Sequence, residues 1–328
     1  MELVDKMLSG AQQSLSRLIT LVERDDTCVS QVMKEIQPHL GRAYIIGVTG
    51  PSGGGKSTLV DRLTGVARGK GLSVGIIAVD PTSPFSGGAF LGDRIRMQQH
   101  FLDSEVFIRS MATRGSSGGL PQMARGVIKL MDAFGKDIIM VETVGVGQTE
   151  LDIIENVDTT VVVLVPEGGD TIQTMKAGLM EIADIFVVNK ADREGADRLI
   201  LELKAALVLK AKESQWQVPV LATQAVNNLG IEELYQEVEK HRRHLEASGR
   251  LSLRRREQRK DELLQIIEQR IWSRLCQQLE RDELLKSFSK RVEDGELDSY
   301  SAAMEILGNE ALIRGWLTEP EGEGRAAP

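Results

Sequence analysis

Residues Gly50 to Ser57 read Gly-Pro-Ser-Gly-Gly-Gly-Lys-Ser, set between the apolar run Tyr44-Ile45-Ile46-Gly47-Val48 and Thr58-Leu59-Val60, which opens an expected helix. A strand, a glycine loop and a helix in immediate succession constrain the fold more tightly than any other segment, because this order matches a phosphate-binding P-loop in its proper context. Successive glycines let the backbone curl until its N–H groups point inward at phosphate oxygens, while the following helix presents its positive end. Gly50, Pro51, Ser52, Gly53, Gly54, Gly55, Lys56, Ser57 and Thr58 therefore form the expected phosphate cradle. Lys56 is expected to reach the β- and γ-phosphates and Ser57 to ligate Mg²⁺. The motif sets the ligand class, a nucleoside triphosphate, and leaves the base open.

The 328 residues leave room for one α/β domain with additions, and 41% apolar residues can fill its core. A net charge of −8 and a pI near 5.3 argue against a nucleic-acid partner, which demands a dominant basic face. Cys28 and Cys276 are far apart and outside any Cys-x-x-Cys pair, so neither a disulfide framework nor a thiolate metal site is indicated and a reducing cytoplasm is expected. The opening Met1-Glu2-Leu3-Val4-Asp5 lacks a basic stretch followed by an apolar one. No run approaches the roughly 18 apolar residues of a membrane span, so export and membrane insertion are not expected.

Residues 3 to 37 carry apolar positions at helical spacing, among them Leu15, Leu18, Ile19 and Val22, and read as a helical preface. From Ala43 the pattern changes to apolar runs alternating with amphipathic stretches: Tyr44–Val48, Ser73–Val79, Val106–Ser110, Asp137–Val141, Thr159–Val165, Asp184–Val188 and Val218–Ala222. Strand candidates separated by helix candidates imply an α/β fold with a mostly parallel central sheet covered by helices on both faces. After Ser248-Gly249-Arg250, residues 252 to 289 become one charged, periodic stretch containing Leu263, Ile266, Ile267, Ile271, Leu275 and Leu279, expected as one long helix with an apolar seam. That seam either folds back on its own domain or pairs with a second copy. The arginine-rich Arg250 to Lys260 includes Glu257 and reads as a solvated helix face. The expected organisation is an N-terminal helical extension at 1–41, a nucleotide domain at 42–248, a helical region at 249–318 and a disordered tail at 319–328.

The base is addressed by Asn189-Lys190-Ala191-Asp192, which follows the apolar Val187-Val188 at a strand end, where loops of a parallel sheet meet ligands. The Asp192 carboxylate can accept from guanine N1–H and from the 2-amino group, whereas adenine offers an acceptor and no amino group there. Leaving such a carboxylate unpaired can cost roughly 10⁴-fold in discrimination. Asn189 is expected to brace the loop and Lys190 to lie along the base. Glu142-Thr143-Val144-Gly145 after another apolar strand supplies a carboxylate to order metal-bound water and an N–H, on Gly145, to sense the γ-phosphate. Asp80, ending Ala78-Val79-Asp80, is a further metal-side carboxylate, and Asp93 in Gly92-Asp93-Arg94 is either that or a helix or turn cap. Lys56, Asp93 and Glu142 are the expected catalytic group. His241 and His244, two of four histidines, lack a third ligand nearby and are expected to face solvent.

From about Gly41 to Gly249 the chain resembles the MeaB and MMAA family of P-loop GTPases that chaperone cobalamin-dependent methylmalonyl-CoA mutase. The resemblance rests on Asp80-Pro81-Thr82-Ser83-Pro84, Gly92-Asp93-Arg94, Val141 to Gln148 and Met175 to Asp184. It implies GTP and GDP as ligands, Ser57, Asp80, Asp93 and Glu142 around Mg²⁺, and Glu167 to Gln173 as a mobile loop that couples nucleotide state to the mutase. It also implies that the C-terminal helix is a dimerisation arm, so a homodimer. The loop Thr223-Gln224-Ala225-Val226 departs from the family's Ser-Ala-Leu beside the guanine, leaving contacts from Gln224 in doubt and backbone contacts at Ala225 and Val226 in place. No arginine finger is evident, so slow, partner-stimulated hydrolysis is expected. Older family labels point instead to an arginine or ornithine phosphotransferase, and a third alternative is an assembly GTPase for another metalloenzyme.

Overall fold

Each of the seven apolar runs forms a strand in a computed structural model of the chain: β1 (Tyr44–Thr49), β2 (Val74–Pro81), β3 (Val106–Thr113), β4 (Ile138–Glu142), β5 (Thr159–Leu164), β6 (Ile185–Asn189) and β7 (Val220–Thr223). The structure describes residues 2–24, 28–81, 100, 102–113, 119–143, 156–166, 179–210, 215–279, 281–310 and 312–313. The strands make one sheet in the order β3-β2-β4-β1-β5-β6-β7, and every pairing is parallel. β4, β5 and β6 are buried at every position, as expected when helices cover both faces of a parallel sheet.

The period of two along the strands sorts residues between the faces. Ile77, Val79, Ile139 and Val141 pack with the preface helices α1 (Glu2–Leu8), α2 (Gln12–Glu23) and α3 (Val29–Ile36), and with α5 (Gly119–Ala133). On α2 the buried residues Leu15, Leu18, Ile19 and Val22 form a stripe with helical spacing, so the preface is part of the main core. Ile46, Val48, Val161 and Val163 face the opposite layer, α4 (Lys56–Gly69) and α7 (Ile231–Ala247). Val162, Leu164, Phe186 and Val188 pack on α6 (Ala196–Lys210). The C-terminal ends of all seven strands thus lie at one rim of the sheet, where β1, β4 and β6 deliver Gly50, Glu142 and Asn189.

Residues 1–258 form one compact unit and residues 259–328 a second. The long helix α8 spans Arg250–Leu279 and is shorter than the single helix expected over 252–289. Asp282 accepts hydrogen bonds from the Leu284 and Leu285 N–H groups and starts α9 (Glu283–Glu293), and Asp298 likewise caps α10 (Ser299–Gly308). A side chain that satisfies the orphan donors of a new helix start favours a break over continuation. Residues 319–328 lie outside the described set.

The rim opposite the βα turns corrects two expectations. His241 does not face solvent: it is 2% exposed, with Nδ1 2.7 Å from Thr159 Oγ1 and Nε2 3.4 Å from Asp184 Oδ1. Thr159 Oγ1 also lies 2.5 Å from the Tyr44 hydroxyl, while Trp216 packs against His241 and the half-buried His244. Nor is the arginine-rich segment a uniformly solvated face. Arg255 donates to both oxygens of the fully buried Asp158 carboxylate, at 2.8 and 2.6 Å, and to the carbonyls of Gly41 and Ala43. Arg254 donates to Asp184 Oδ2 and the Asp158 carbonyl. Helical periodicity could not show these contacts, because acceptors before β5 and β6 are distant in sequence.

Burial holds His241 below the ordinary imidazole range, opposed by Asp184 and Asp158 and aided by Arg254 and His244. A histidine that protonates more readily when unfolded makes stability fully present above the unfolded value, about 6.5, and lost as pH falls below it toward the folded value. Urea midpoints should therefore be flat above about pH 7 and decline below about 6.5. His241→Asn, which can still bond Thr159, should flatten that part of the decline.

Candidate nucleotide site

The loop after β1 is shaped by backbone that other residues would resist. Gly50 has φ of +141°, and a Cβ there would stand 2.0 Å from the Val163 carbonyl oxygen, so the loop lies directly on β5. Gly55 closes the loop in the left-handed region with φ of +85° and is the residue before α4. Lys56 Nζ donates to the carbonyls of Gly50 and Pro51 at 2.9 and 3.0 Å, which holds the ammonium at the loop itself. Ser57 is the second residue of the same helix, and its hydroxyl donates to Glu142 Oε1 at 2.6 Å. Both residues are less than 8% exposed. The Thr143 N–H donates to the Val48 carbonyl and its hydroxyl to Thr49 Oγ1, fixing the end of β4 against the strand that carries the loop.

Asn189, at the end of β6, connects this loop to the next. Its Nδ2 donates to the Gly54 carbonyl at 2.9 Å, and its Oδ1 accepts from Thr223 Oγ1 and from the Ala225 N–H, each at 3.1 Å. The side chain is 2% exposed. A Cβ on Gly55 would approach Asn189 Nδ2 to 2.4 Å, so the glycine is also what admits the amide. Lys190 follows in the left-handed region with φ of 56°, a conformation costing on the order of 1–3 kcal/mol outside glycine and found at ligand-binding turns. The chain then turns through Ala191, whose N–H donates to the Thr223 carbonyl, to place Asp192 at the exposed surface.

The structure brings Gly50 to Thr58, Glu142 and Asn189 together, with Lys190 and Asp192 directly following. It sets Gln224, Ala225 and Val226 beside them as a turn that continues from β7, with Ala225–Asn227 in a 3-10 helix. Gln224 Oε1 accepts from Asn227 Nδ2 at 3.0 Å, so this side chain closes its own turn. Asp80 lies on β2 two residues past Ala78, the register partner of Glu142, and its side chain lies outside the described residues. Asp93, Gly145, Gln148 and the loop Glu167 to Gln173 lie outside them as well.

A hydroxyl and a carboxylate oxygen in contact, both buried, are hard oxygen donors and fit Mg²⁺. Among the described residues no group of three or more His, Cys, Asp or Glu stands ready to hold a metal ion, so such an ion would depend on phosphate oxygens and water for its other ligands. Sequence reasoning missed Arg62 on α4. Its Nε donates to the Ala225 carbonyl at 3.2 Å, and the only sequence signal was a charged pair, Asp61-Arg62, beside the apolar Leu59, Val60 and Leu63 of the same helix.

The family profile for methylmalonyl-CoA mutase-associated GTPase MeaB matches residues 15–280. The chain belongs to the MeaB family of GTPases. A Pyrococcus abyssi protein named only as a GTPase is 50% identical over 98% of this chain and 99% of its own length. The mouse mitochondrial homolog of methylmalonic aciduria type A protein is 31% identical, covering 92% of this chain and 77% of the relative. The crystal structure titled LAO/AO transport system kinase superposes with a TM-score of 0.71 at 27% identity, over 94% of this chain and 96% of the other. MeaB membership makes guanine nucleotide the ligand class for this P-loop. Among the described residues no helix is long and apolar enough to cross a membrane.

Asn189 joins three segments of this MeaB-family site through buried hydrogen bonds. Asn189→Ala should lower unfolding stability by about 2–3 kcal/mol, from orphaned partners at Gly54, Thr223 and Ala225. It should also weaken GDP binding about tenfold or more; urea unfolding and calorimetric titration check the two effects.

Proposed function

We propose that this chain is a GTP-hydrolysing switch that acts on a cobalamin-dependent acyl-CoA mutase, gating cofactor loading and protecting the mutase. The observation that carries the reading is the direct wiring of the phosphate loop to the guanine-selecting strand end through Asn189. One buried side chain makes the two halves of a guanine-nucleotide site a single unit. The mutase partner is supported by the family's description, and a methylmalonyl-CoA mutase is the first candidate. The reading carries a cytoplasmic location with it.

In this reading Lys56 exchanges the carbonyls of Gly50 and Pro51 for β- and γ-phosphate oxygens and stabilises their charge as water attacks in line. The loop N–H groups and the start of α4 hold the phosphates. Ser57 and Glu142, with Asp80 and Asp93, would hold Mg²⁺ and its waters, and Gly145 would sense the γ-phosphate. Mg²⁺, when bound, neutralises phosphate charge and orders the triphosphate. Asp192 accepts from the guanine N1–H and 2-amino groups, with Lys190 along the base and the backbone of Ala225 and Val226 nearby.

The second unit supports a homodimer. On α8 Leu263, Leu264, Ile267, Ile271 and Trp272 are each at least 45% exposed in the single chain, and a stripe of this kind on a helix suits pairing with a second copy. The domain reading that follows is a nucleotide domain with a dimerisation arm.

Turnover measured with and without purified mutase tests the switch. GTP hydrolysis by the chain alone should be slow and should rise at least tenfold with the mutase, short of the roughly 10³–10⁵-fold that a partner's arginine finger supplies. Fast hydrolysis indifferent to the mutase would count against it. The kinase title of the structural neighbour supplies the rival reading, which the same assay addresses: labelled γ-phosphate appearing on arginine or ornithine would establish a phosphotransferase. For the arm, Ile267→Glu with Ile271→Glu should convert a dimer to a monomer by light scattering, with far-ultraviolet dichroism of the nucleotide domain retained.

A further inference from the structure

Helix α4 turns its apolar residues Leu59, Val60, Leu63 and Ala67 into the core, and Arg62 leaves it in another direction. The guanidinium crosses to the turn after β7, where Nε donates to the Ala225 carbonyl at 3.2 Å and one terminal nitrogen to the Val226 carbonyl at 3.5 Å. The helix that carries Lys56 and Ser57 thereby grips the turn placed beside the base. The grip orients peptide planes. Because a peptide unit is planar and trans, its N–H points opposite to its C=O, so the Ala225 carbonyl turned toward Arg62 sends the Val226 N–H away from α4.

The Ala225 carbonyl also accepts from the Asn228 N–H at 3.3 Å, and the rest of the turn is fixed from other directions. Asn189 Oδ1 takes the Ala225 N–H, the Asn227 N–H donates to the Gln224 carbonyl, and Gln224 and Leu229 bond each other in both directions. Val226 is 77% exposed at the outer side of this turn. Gln224 Oε1 accepts from Asn227 Nδ2, which ties that side chain to its own turn and turns attention to the backbone donors at Ala225 and Val226. Guanine carries an acceptor at C6 where adenine carries a donating amino group.

We propose that Arg62 is a positioning residue for purine selectivity, holding the peptide planes of Ala225 and Val226 so that a backbone N–H of this turn meets the C6 oxygen of guanine. The assignment rests on the guanine-nucleotide reading above. It divides recognition into two parts. Asp192 reads N1–H and the 2-amino group, while the Arg62-braced turn reads O6.

Three diphosphates separate these parts in calorimetric titrations of the full chain. GDP carries both features, inosine diphosphate keeps O6 and N1–H and lacks the 2-amino group, and 2-aminopurine riboside diphosphate keeps the amino group and lacks O6 together with the N1 proton, so its comparison is between variant and unmodified protein. Arg62→Ala should weaken GDP and inosine diphosphate by about tenfold each, the worth of one well-placed hydrogen bond, and leave the 2-aminopurine nucleotide unchanged within twofold. Arg62→Lys, which retains one donor to the turn, should recover most of the GDP affinity, and it also serves if the alanine variant folds poorly. Equal weakening of all three nucleotides would overturn the proposal, since it would mean that Arg62 merely supports α4 and the phosphate site. Unmodified protein binding ADP as tightly as GDP would instead overturn the underlying guanine reading, and this proposal with it.

Discussion

The amide of Asn189 is the contact on which the architecture of the nucleotide site depends. It is buried, it uses both ends, and its partners at Gly54, Thr223 and Ala225 come from the phosphate loop, the end of β7 and the following turn. Buried polar groups are stable only when satisfied, and a satisfied network fixes one arrangement. The requirement runs outward from there. Gly55 must lack a Cβ because the amide stands where one would be, and Gly50 must lack one because the loop is pressed onto Val163. The close fit of loop to sheet and of loop to amide explains why glycine is needed at specific positions in that segment, beyond general flexibility.

The opposite rim of the sheet is held by a different kind of contact. Asp158, wholly buried, accepts from the Ile45 N–H and from Arg255, so the first turns of α8 are joined to the starts of β1 and β5. Removing charge from water is costly, and a buried carboxylate is tolerated only with such a full set of donors. His241, Thr159 and Tyr44 continue the network across the strand starts. Burial pushes the Tyr44 hydroxyl well above the ordinary phenol range, so this part of the network stays neutral. The two rims therefore divide their roles: glycine and backbone donors at the end that meets phosphate, paired charges at the end where the long helix starts.

Much of this was legible in order along the chain. All seven strands fall on the expected apolar runs, and β5 shows why, since six consecutive buried residues, Thr159 to Leu164, leave a long uninterrupted signal. The placement of the phosphate loop after β1 and of the tetrapeptide at the end of β6 was equally plain, because each depends on near neighbours in sequence. Features that depend on distant partners or on local capping were not. The interruption of the long helix before Asp282 depends on a side chain capping the next helix, a local competition that apolar periodicity does not report. His241 was misplaced because its surroundings, Thr159, Asp184 and Trp216, come from separate segments. Arg62 went unnoticed because its acceptors are carbonyls, which every residue possesses.

The sequence alone determined that a parallel sheet carries a phosphate loop, and that Asn189-Lys190-Ala191-Asp192 follows the end of one of its strands. It could do so because covalent spacing places loop, helix and strand end within reach of one another. Tertiary structure decided how these pieces communicate: Ser57 with Glu142, Asn189 with two loops, Arg62 with the turn beyond β7, Arg255 with Asp158. Each of these joins groups at least 34 residues apart, and such pairs are set by which strands are neighbours in the sheet, an order that no local pattern encodes.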